Sequence, residues 1–535
     1  MRTSNLLKSR RAATTLFFGG LILLGIWLHR DYGIGWDERT DREAGFSTLQ
    51  YVTQRLAPGL VAAEHFTGVH DLLTDVNADY GPALQLPIAC LEVAFFPHDS
   101  RGAALLRHLL CFGTFVLGAW AVFRLGADRF ASWRWGLAGA AILTLSPRIF
   151  AEAFYNTKDL GFLNLFALAV LTLTRLLRRP TLGRALLHAL ATALATDVRI
   201  MGILLPALTG AFGVLELLYR PARRPQLVRA LACYFLAFFP LVVLFWPYLW
   251  EAPLTRFWAC FGSFRRFRQT LNVFYLGQMV SCQRLPWHYL SVWLLATTPV
   301  AYTVLFVTGA GGALRGLLTR PVTWLRQAAH RRDLLFGVWL LGPLVLVVAI
   351  QSVLYDGWRH VYFIYPAFVL LAVRGLRAGV LAWQAAVPAS ATRRLGLVAG
   401  LLLALGVAHT VFRQVSDHPY QYVYFSFLPG PVAGQLFERD YWGVSGHDGL
   451  AWVLAHDRRA TIAISDTFPH KDLLSNNARL LSAADQARLR FVPHRQADYF
   501  IGLYRWHPAP YDASFGTPVH EIRVAGLPIL TVFRR

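Results

Sequence analysis

Long apolar runs, separated by arginine-rich connections, set the plan of this chain. The first, residues 13–28, follows Arg2, Lys8, Arg10 and Arg11, so it is predicted to leave the cytoplasm N-terminus-inside. Further runs lie at 103–123, 135–150, 160–177, 185–196, 200–218, 230–248, 289–309, 334–351, 361–373 and 395–412. Most approach the roughly 20 residues that a helix needs to cross a bilayer, which predicts about eleven spans. Arginines at 124, 129, 134, 178, 179, 184, 220, 223, 224, 229, 374, 377, 393 and 394, with the basic stretch 315–332, then fall on the inner side. The run 83–96 is too short to cross and reads as an interfacial or re-entrant helix; counting it as a span would invert every later loop. No small-x-small cleavage site follows the first run, so it reads as a retained span rather than a removed signal peptide.

This threading places loops 30–102, 151–159, 249–287 and 352–360 on the outer face, within a membrane part covering 1–412. After residue 412 the pattern changes. Polar sequence is interrupted by β-like runs at 461–465, 499–503 and 527–533, with helix-like stretches between. Residues 413–535 are therefore expected to form a soluble α/β domain of about 120 residues, placed outside by the odd number of spans. The expected class is an α-helical polytopic membrane protein, resident in the inner (plasma) membrane with a cytoplasmic N-terminus and a small periplasmic C-terminal α/β domain.

Composition narrows the function classes. The chain is 55% hydrophobic and only 15% charged over 535 residues, too apolar to fold as a soluble protein. Its net charge of +22 comes almost wholly from arginine between apolar runs, which points to topology and anionic lipid rather than nucleic acid. Lysine occurs only at 8, 158 and 471. Cys90, Cys111, Cys233, Cys260 and Cys282 show no metal-binding spacing, although Cys260 and Cys282 share one external loop and are candidates for a disulfide. Arg256, Arg265, Arg266, Arg268 and Arg284 in that loop form a basic cluster that reads as a solvated face.

The outer loops gather ionisable side chains at the ends of spans: Asp37 and Glu38, Lys158 and Asp159, Asp197 and Arg199, Arg359 and His360. Charges at such depth are costly and usually face a cavity or a partner. Blander readings exist for each. Lys158 and Asp159 can form an interfacial ion pair, Asp197 and Arg199 can pair across a turn, and Arg359-His360 between aromatics can anchor an interfacial belt. Taken together, carboxylates able to accept a proton and cations able to hold phosphate suit group transfer from a phosphate-linked lipid donor. No glycine-rich phosphate loop is present, which argues against a soluble nucleotide donor. A transporter or flippase of lipid-linked saccharides is the alternative, and a membrane scaffold whose outer domain recruits partners is a third reading.

The order of these groups resembles the GT-C glycosyltransferases, in particular protein O-mannosyltransferases, lipid A aminoarabinose transferases and related bacterial family 39 enzymes. Tyr155-Asn156-Thr157-Lys158-Asp159 is similar to their Asn-Pro-Lys-Asp signature, with Thr157 where relatives tend to carry proline. The segment from Asp356 through Trp358, Arg359, His360 and Tyr362 to Pro366 resembles their late Arg-aromatic-Pro segment, and Tyr422–Phe425 and Glu438–Gly443 also resemble stretches of those relatives. The resemblance implies inverting transfer of a hexosyl or pentosyl group from a polyprenyl-phosphate sugar donor to a glycan, lipid or protein acceptor on the outer face. Asp37 would then be the base, with Glu38 and Asp159 assisting. Lys158, Arg359 and His360 would meet the donor phosphate, and Arg199, Asn156 and Tyr80 are further substrate-binding candidates. Family members differ over a divalent metal, and the sequence shows no clear ligand set.

Overall fold

The computed structural model describes residues 2–265, 270–388, 390–467, 472–505 and 507–535. The membrane part opens with α1 (Arg2–Leu28), α2 (Glu38–Leu56), α3 (Gln85–Phe95), α4 (Ser100–Phe130), α5 (Trp133–Thr144), α6 (Pro147–Glu152) and α7 (Asp159–Arg178). It continues through α8 (Leu182–Val198), α9 (Leu204–Tyr219), α10 (Arg224–Phe245), α11 (Pro253–Arg265) and a hairpin of β1 (Asn272–Tyr275) with β2 (Gln278–Ser281). It closes with α12 (Tyr289–Thr297), α13 (Val300–Thr319), α14 (Pro321–Arg326), α15 (Ala328–Ala349), α16 (Tyr365–Ala385) and α17 (Ala391–Ser416). Nine helices among the described residues are long and apolar enough to cross a bilayer, and the chain is a multi-pass membrane protein. The shorter α5 packs along α4, and α8 along α7 and α10.

Position in the bundle follows from burial. The apolar window of α7 is 83% buried, so this helix is the central post. Those of α1 and α17 are only 11% and 6% buried, which leaves their apolar side chains to lipid. Helices α13 and α16 touch through glycine. A Cβ on Gly309 would run into the Leu371 carbonyl, and one on Gly375 into that of Leu305. In a bilayer, where no hydrophobic force joins helices, such close backbone approach supplies the packing.

Several predicted boundaries move, mostly at proline. The run 135–150 is two elements because Pro147 holds Ser146 extended and ends α5 at Thr144. The run 289–309 breaks likewise at Thr298-Pro299 into α12 and α13. The predicted 361–373 lengthens to Ala385, and 200–218 begins as a 3-10 turn, Ile200–Ile203, after an extended Arg199. The short run 83–96 is the 11-residue α3. Cys260 and Cys282 do not form the expected disulfide: Cys260 packs with Trp246 and Phe257, whereas Cys282 follows the β1–β2 hairpin in the main core. Arg256 pairs with Glu251 at 2.7 Å, and Arg266 and Arg268 lie outside the described residues.

The C-terminal stretch carries α18 (Gly430–Leu436), α19 (Gly446–His456), β3 (Ile462–Asp466), α20 (Leu473–Ala478), α21 (Ala483–Arg488), β4 (Leu489–Phe491), β5 (Tyr499–Leu503), β6 (Thr517–Val524) and β7 (Leu527–Arg534). The strands form one sheet in the order β4-β3-β5-β7-β6, parallel around β3 and antiparallel around β7. β5 is buried throughout, and the residues just after it turn down onto the membrane part.

Candidate functional site

Between α1 and α2 the chain makes a tight turn through Gly35. That glycine lies against the rings of Tyr155 and Trp442, where a Cβ would be crowded, and the Trp36 N–H donates to the Trp442 carbonyl at 3.1 Å. Asp37 therefore enters α2 aimed at the start of α7 and the 356–364 segment. Its neighbour turns elsewhere. Glu38 Oε1 accepts from the Gly35 N–H at 2.8 Å and lies 3.2 Å from His108 Nε2, outside the cluster around Asp37.

Arg359 is the hub. Its Nη1 lies 2.7 Å from Asp37 Oδ2 and 3.1 Å from Asp159 Oδ2, and its Nη2 lies 3.0 Å from Asp356 Oδ2. The guanidinium also faces the rings of Trp442 and Tyr355, 4.8 and 5.0 Å from their centroids. Asp159 binds Arg199 through its other oxygen, and Asp356 binds Arg505 at 2.6 Å. The result is an alternating string of Arg199, Asp159, Arg359, Asp356 and Arg505, with Asp37 attached at the middle. The alternative reading of Arg359 as a belt anchor does not hold, because its side chain is only 2% exposed and bound by three carboxylates. Of those acids, Asp159 is fully enclosed while Asp37 is 27% exposed, so Asp37 is the one a substrate can reach.

Lys158 sits beside this string. It pairs with Asp41 at 2.9 Å rather than with Asp159, and its ammonium lies 4.1 Å from the centre of the Tyr80 ring. Thr157 donates to the same Asp41 at 2.6 Å and accepts from Gln85 Nε2, which ties the 155–159 loop to α2 and α3. Asn156 Oδ1 accepts from the Asp159 N–H, at the first residue of α7, at 2.8 Å, and its amide reaches both Glu152 and Asp159. Asp197 and Arg199 do not bond each other. Asp197 clamps the 81–83 turn through the Gly81 and Ala83 N–H groups, which leaves Arg199 to Asp159.

Electrostatics match this geometry. Burial by itself would raise the Asp37 carboxyl, but the charges of Arg359, Lys158 and Arg505 hold it well below the usual carboxylate range. Burial opposes the Lys158 charge, yet Asp41, Tyr80 and Asp37 hold its ammonium above its ordinary value. Glu438, buried near Asp356 and Arg505, is pushed up to about 8 by burial and then by the Asp356 charge. Among the described residues no group of three or more His, Cys, Asp or Glu is arranged to hold a metal ion.

A cavity of 320 Å³ opens beside the cluster. Tyr80, Arg199 and His360 line its polar end, and Ile200, Ile203, Leu204, Val347, Ile350, Val353 and Phe261 line the rest. The His360 ring packs edge-on against Tyr355, and its buried Nδ1 has no hydrogen bond among the described residues. Asp41, Asp356, Glu438 and Arg505 were not among the sequence candidates. Asp356 and Glu438 lie inside segments that carried the family resemblance, and Asp41 lies one helical turn after Asp37. Arg505 has no local signal, since its partner is 149 positions away.

No protein-family model matches the chain, and no curated protein matches it. Solved structures do. The apo structure of ArnT from Cupriavidus metallidurans aligns over 99% of this chain and 98% of its own, with a TM-score of 0.51 and 13% identity. The structure of the same protein bound to undecaprenyl phosphate aligns over 97% and 98%, with a TM-score of 0.48 and 13% identity. A helical membrane bundle with a small C-terminal sheet, aligned over nearly its whole length with ArnT, gives this chain an ArnT-like fold.

Proposed function

We propose that this protein is an integral membrane glycosyltransferase that moves a sugar from a polyprenyl-phosphate-linked donor to an acceptor hydroxyl on the outer face. One observation carries the reading: the apolar cavity and the ion string share Arg199, with His360 beside it. A lipid phosphate whose chain fills the cavity brings its phosphate to Arg199, Arg359, Lys158 and Tyr80. There it competes with carboxylates that are already bound. When Arg359 turns to the donor phosphate, Asp37 loses its strongest cationic neighbour and recovers basicity next to the acceptor. Asp37 then takes the acceptor proton as the oxygen attacks the anomeric carbon and the sugar–phosphate bond breaks, with inversion. The charge of the departing polyprenyl phosphate is met by the same cations.

Asp159 acts in this scheme as a positioning residue, because it holds Arg199 and Arg359 at once. Glu38 supports the 35–38 turn that aims Asp37. Residues 1–412 form the catalytic membrane part and 413–535 an outer α/β domain that reaches the site through Arg505. The N-terminus is cytoplasmic and the membrane is the inner (plasma) membrane.

Asp37→Asn tests the proposal. It keeps the shape and one hydrogen-bond acceptor while removing the base, so transfer from a polyprenyl-phosphate sugar in proteoliposomes should fall by 10²-fold or more. Normal transfer by a folded Asn variant would remove the base, and donor movement across the vesicle without a covalent product would favour a flippase.

A further inference from the structure

The far end of the central post has its own concave basic site. Helix α7 runs for 20 residues from Asp159 to Arg178, which puts Arg178 about 30 Å from the ion string. There, Arg178, Arg179, Arg220 and Arg223, with Pro221 and Ala222, line an open surface pocket of 590 Å³. One lining arginine is held by backbone, with Arg223 Nη1 donating to the Arg178 carbonyl at 2.7 Å, and the neighbouring Arg184 Nη1 donates to the carbonyls of Arg175 and Arg179.

Acidic groups do not balance this charge. The Glu216 carboxylate is gripped by Arg331 at 2.7 and 3.1 Å and also pairs with Arg220 at 3.0 Å. Asp128 lies 3.8 Å from Arg178. Arg179 and Arg223 have no carboxylate partner among the described residues. The apolar residues bordering the cavity along the chain are exposed too: Leu182 at the start of α8, Leu218 at the end of α9 and Val228 in the first turns of α10. Cations lining an open pocket, with exposed aliphatic side chains a few residues away along the chain, fit a phosphate ester that carries acyl chains.

We propose that this hollow binds the headgroup phosphate of an anionic glycerophospholipid, with its acyl chains against Leu182, Leu218 and Val228. The site is separate from the sugar-transfer site and does not depend on the function proposed for it. A membrane-surface arginine contributes enough to anionic-lipid binding that losing two should weaken it roughly tenfold or more.

The test uses the full chain purified in detergent, with native mass spectrometry reading bound lipid. Phosphatidylglycerol and phosphatidylcholine of matched chains are titrated against the wild type, Arg179→Gln/Arg223→Gln, and the control Arg315→Gln/Arg326→Gln. Retention of phosphatidylglycerol over phosphatidylcholine by the wild type, weakened about tenfold in the first variant and unchanged in the control, supports the site. Equal loss in both variants shows diffuse attraction and overturns it, as does equal retention by all three proteins. Glycerol phosphate binding as tightly as the lipid would assign the hollow to a free phosphate and overturn the lipid proposal.

Discussion

Arg505, just beyond β5 of the C-terminal sheet, binds Asp356 at 2.6 Å while the other oxygen of Asp356 holds Arg359 at 3.0 Å. The C-terminal sheet region thus contributes a side chain to the ion string itself. Arg505 also stacks over Trp36, 4.7 Å from its ring centre, one residue before Asp37. Asp356 sits at φ +56°, a backbone conformation that aspartate and asparagine tolerate better than most residues.

This geometry predicts coupling. Breaking a buried pair leaves an uncompensated charge, so Arg505→Gln and Asp356→Asn should each cost about 3 kcal/mol of stability. Asparagine keeps the tolerated φ, so its effect reports charge rather than backbone. The double variant should cost less than the sum of the two, and thermal unfolding of the four purified proteins measures the difference. Strict additivity would mean that the two side chains act independently.

Legibility in the sequence followed the range of the interaction. Most spans are readable because a bilayer demands long apolar runs, and arginine-rich connections separate them. Asp37, Lys158, Asp159, Arg199 and Arg359 stood out because ionisable residues at span ends are rare. What they bind was not readable. Lys158 chose Asp41 over its neighbour Asp159, and Arg199 chose Asp159 over nearby Asp197, because helix entry angles set where each side chain points. Asp37 and Glu38 differ for the same reason: one residue of helix rotation sends Glu38 to His108. Arg505 depends on how the sheet docks, which no local pattern encodes.

The α13–α16 crossing gives a prediction about the fold alone. Gly309→Ala or Gly375→Ala places a methyl against a facing carbonyl, and the backbones must separate. Such overpacking costs roughly 1–3 kcal/mol. Gly311→Ala, in the same helix with open space around it, should be neutral or slightly stabilising. Melting temperatures of the three variants check the contrast.

Glu438 predicts a pH signature. Burial first, and the Asp356 charge second, raise its carboxyl from 4.5 to about 8, while Arg505, Arg359 and the Phe274 N–H oppose the shift. A raised acid binds its proton more tightly when folded. Its contribution to stability is complete below pH 4.5 and is lost as pH rises through 8. Glu438→Gln resembles the protonated form and removes this loss. The stability gap between variant and wild type should therefore widen from pH 4.5 to 8 and stay level above, as read from melting temperatures across that range. Parallel curves would show that Glu438 does not titrate there.

The cavity beside Arg199 makes the donor reading testable without touching a charged residue. Leu204 forms part of its apolar wall, and a larger side chain there occupies space instead of displacing packed neighbours. Leu204→Trp should accordingly leave the melting temperature almost unchanged. If the donor lipid lies in this cavity, the indole excludes part of its chain. Losing two methylene-sized groups of burial removes roughly 1.6 kcal/mol, or about fifteenfold in KM. Turnover at saturation should persist, because Asp37, Arg359 and Lys158 are untouched. A donor with a chain too short to fill the cavity should be almost insensitive to the substitution, so comparing long- and short-chain donors separates tail exclusion from general damage. An equal rise in KM for both would place the lipid elsewhere.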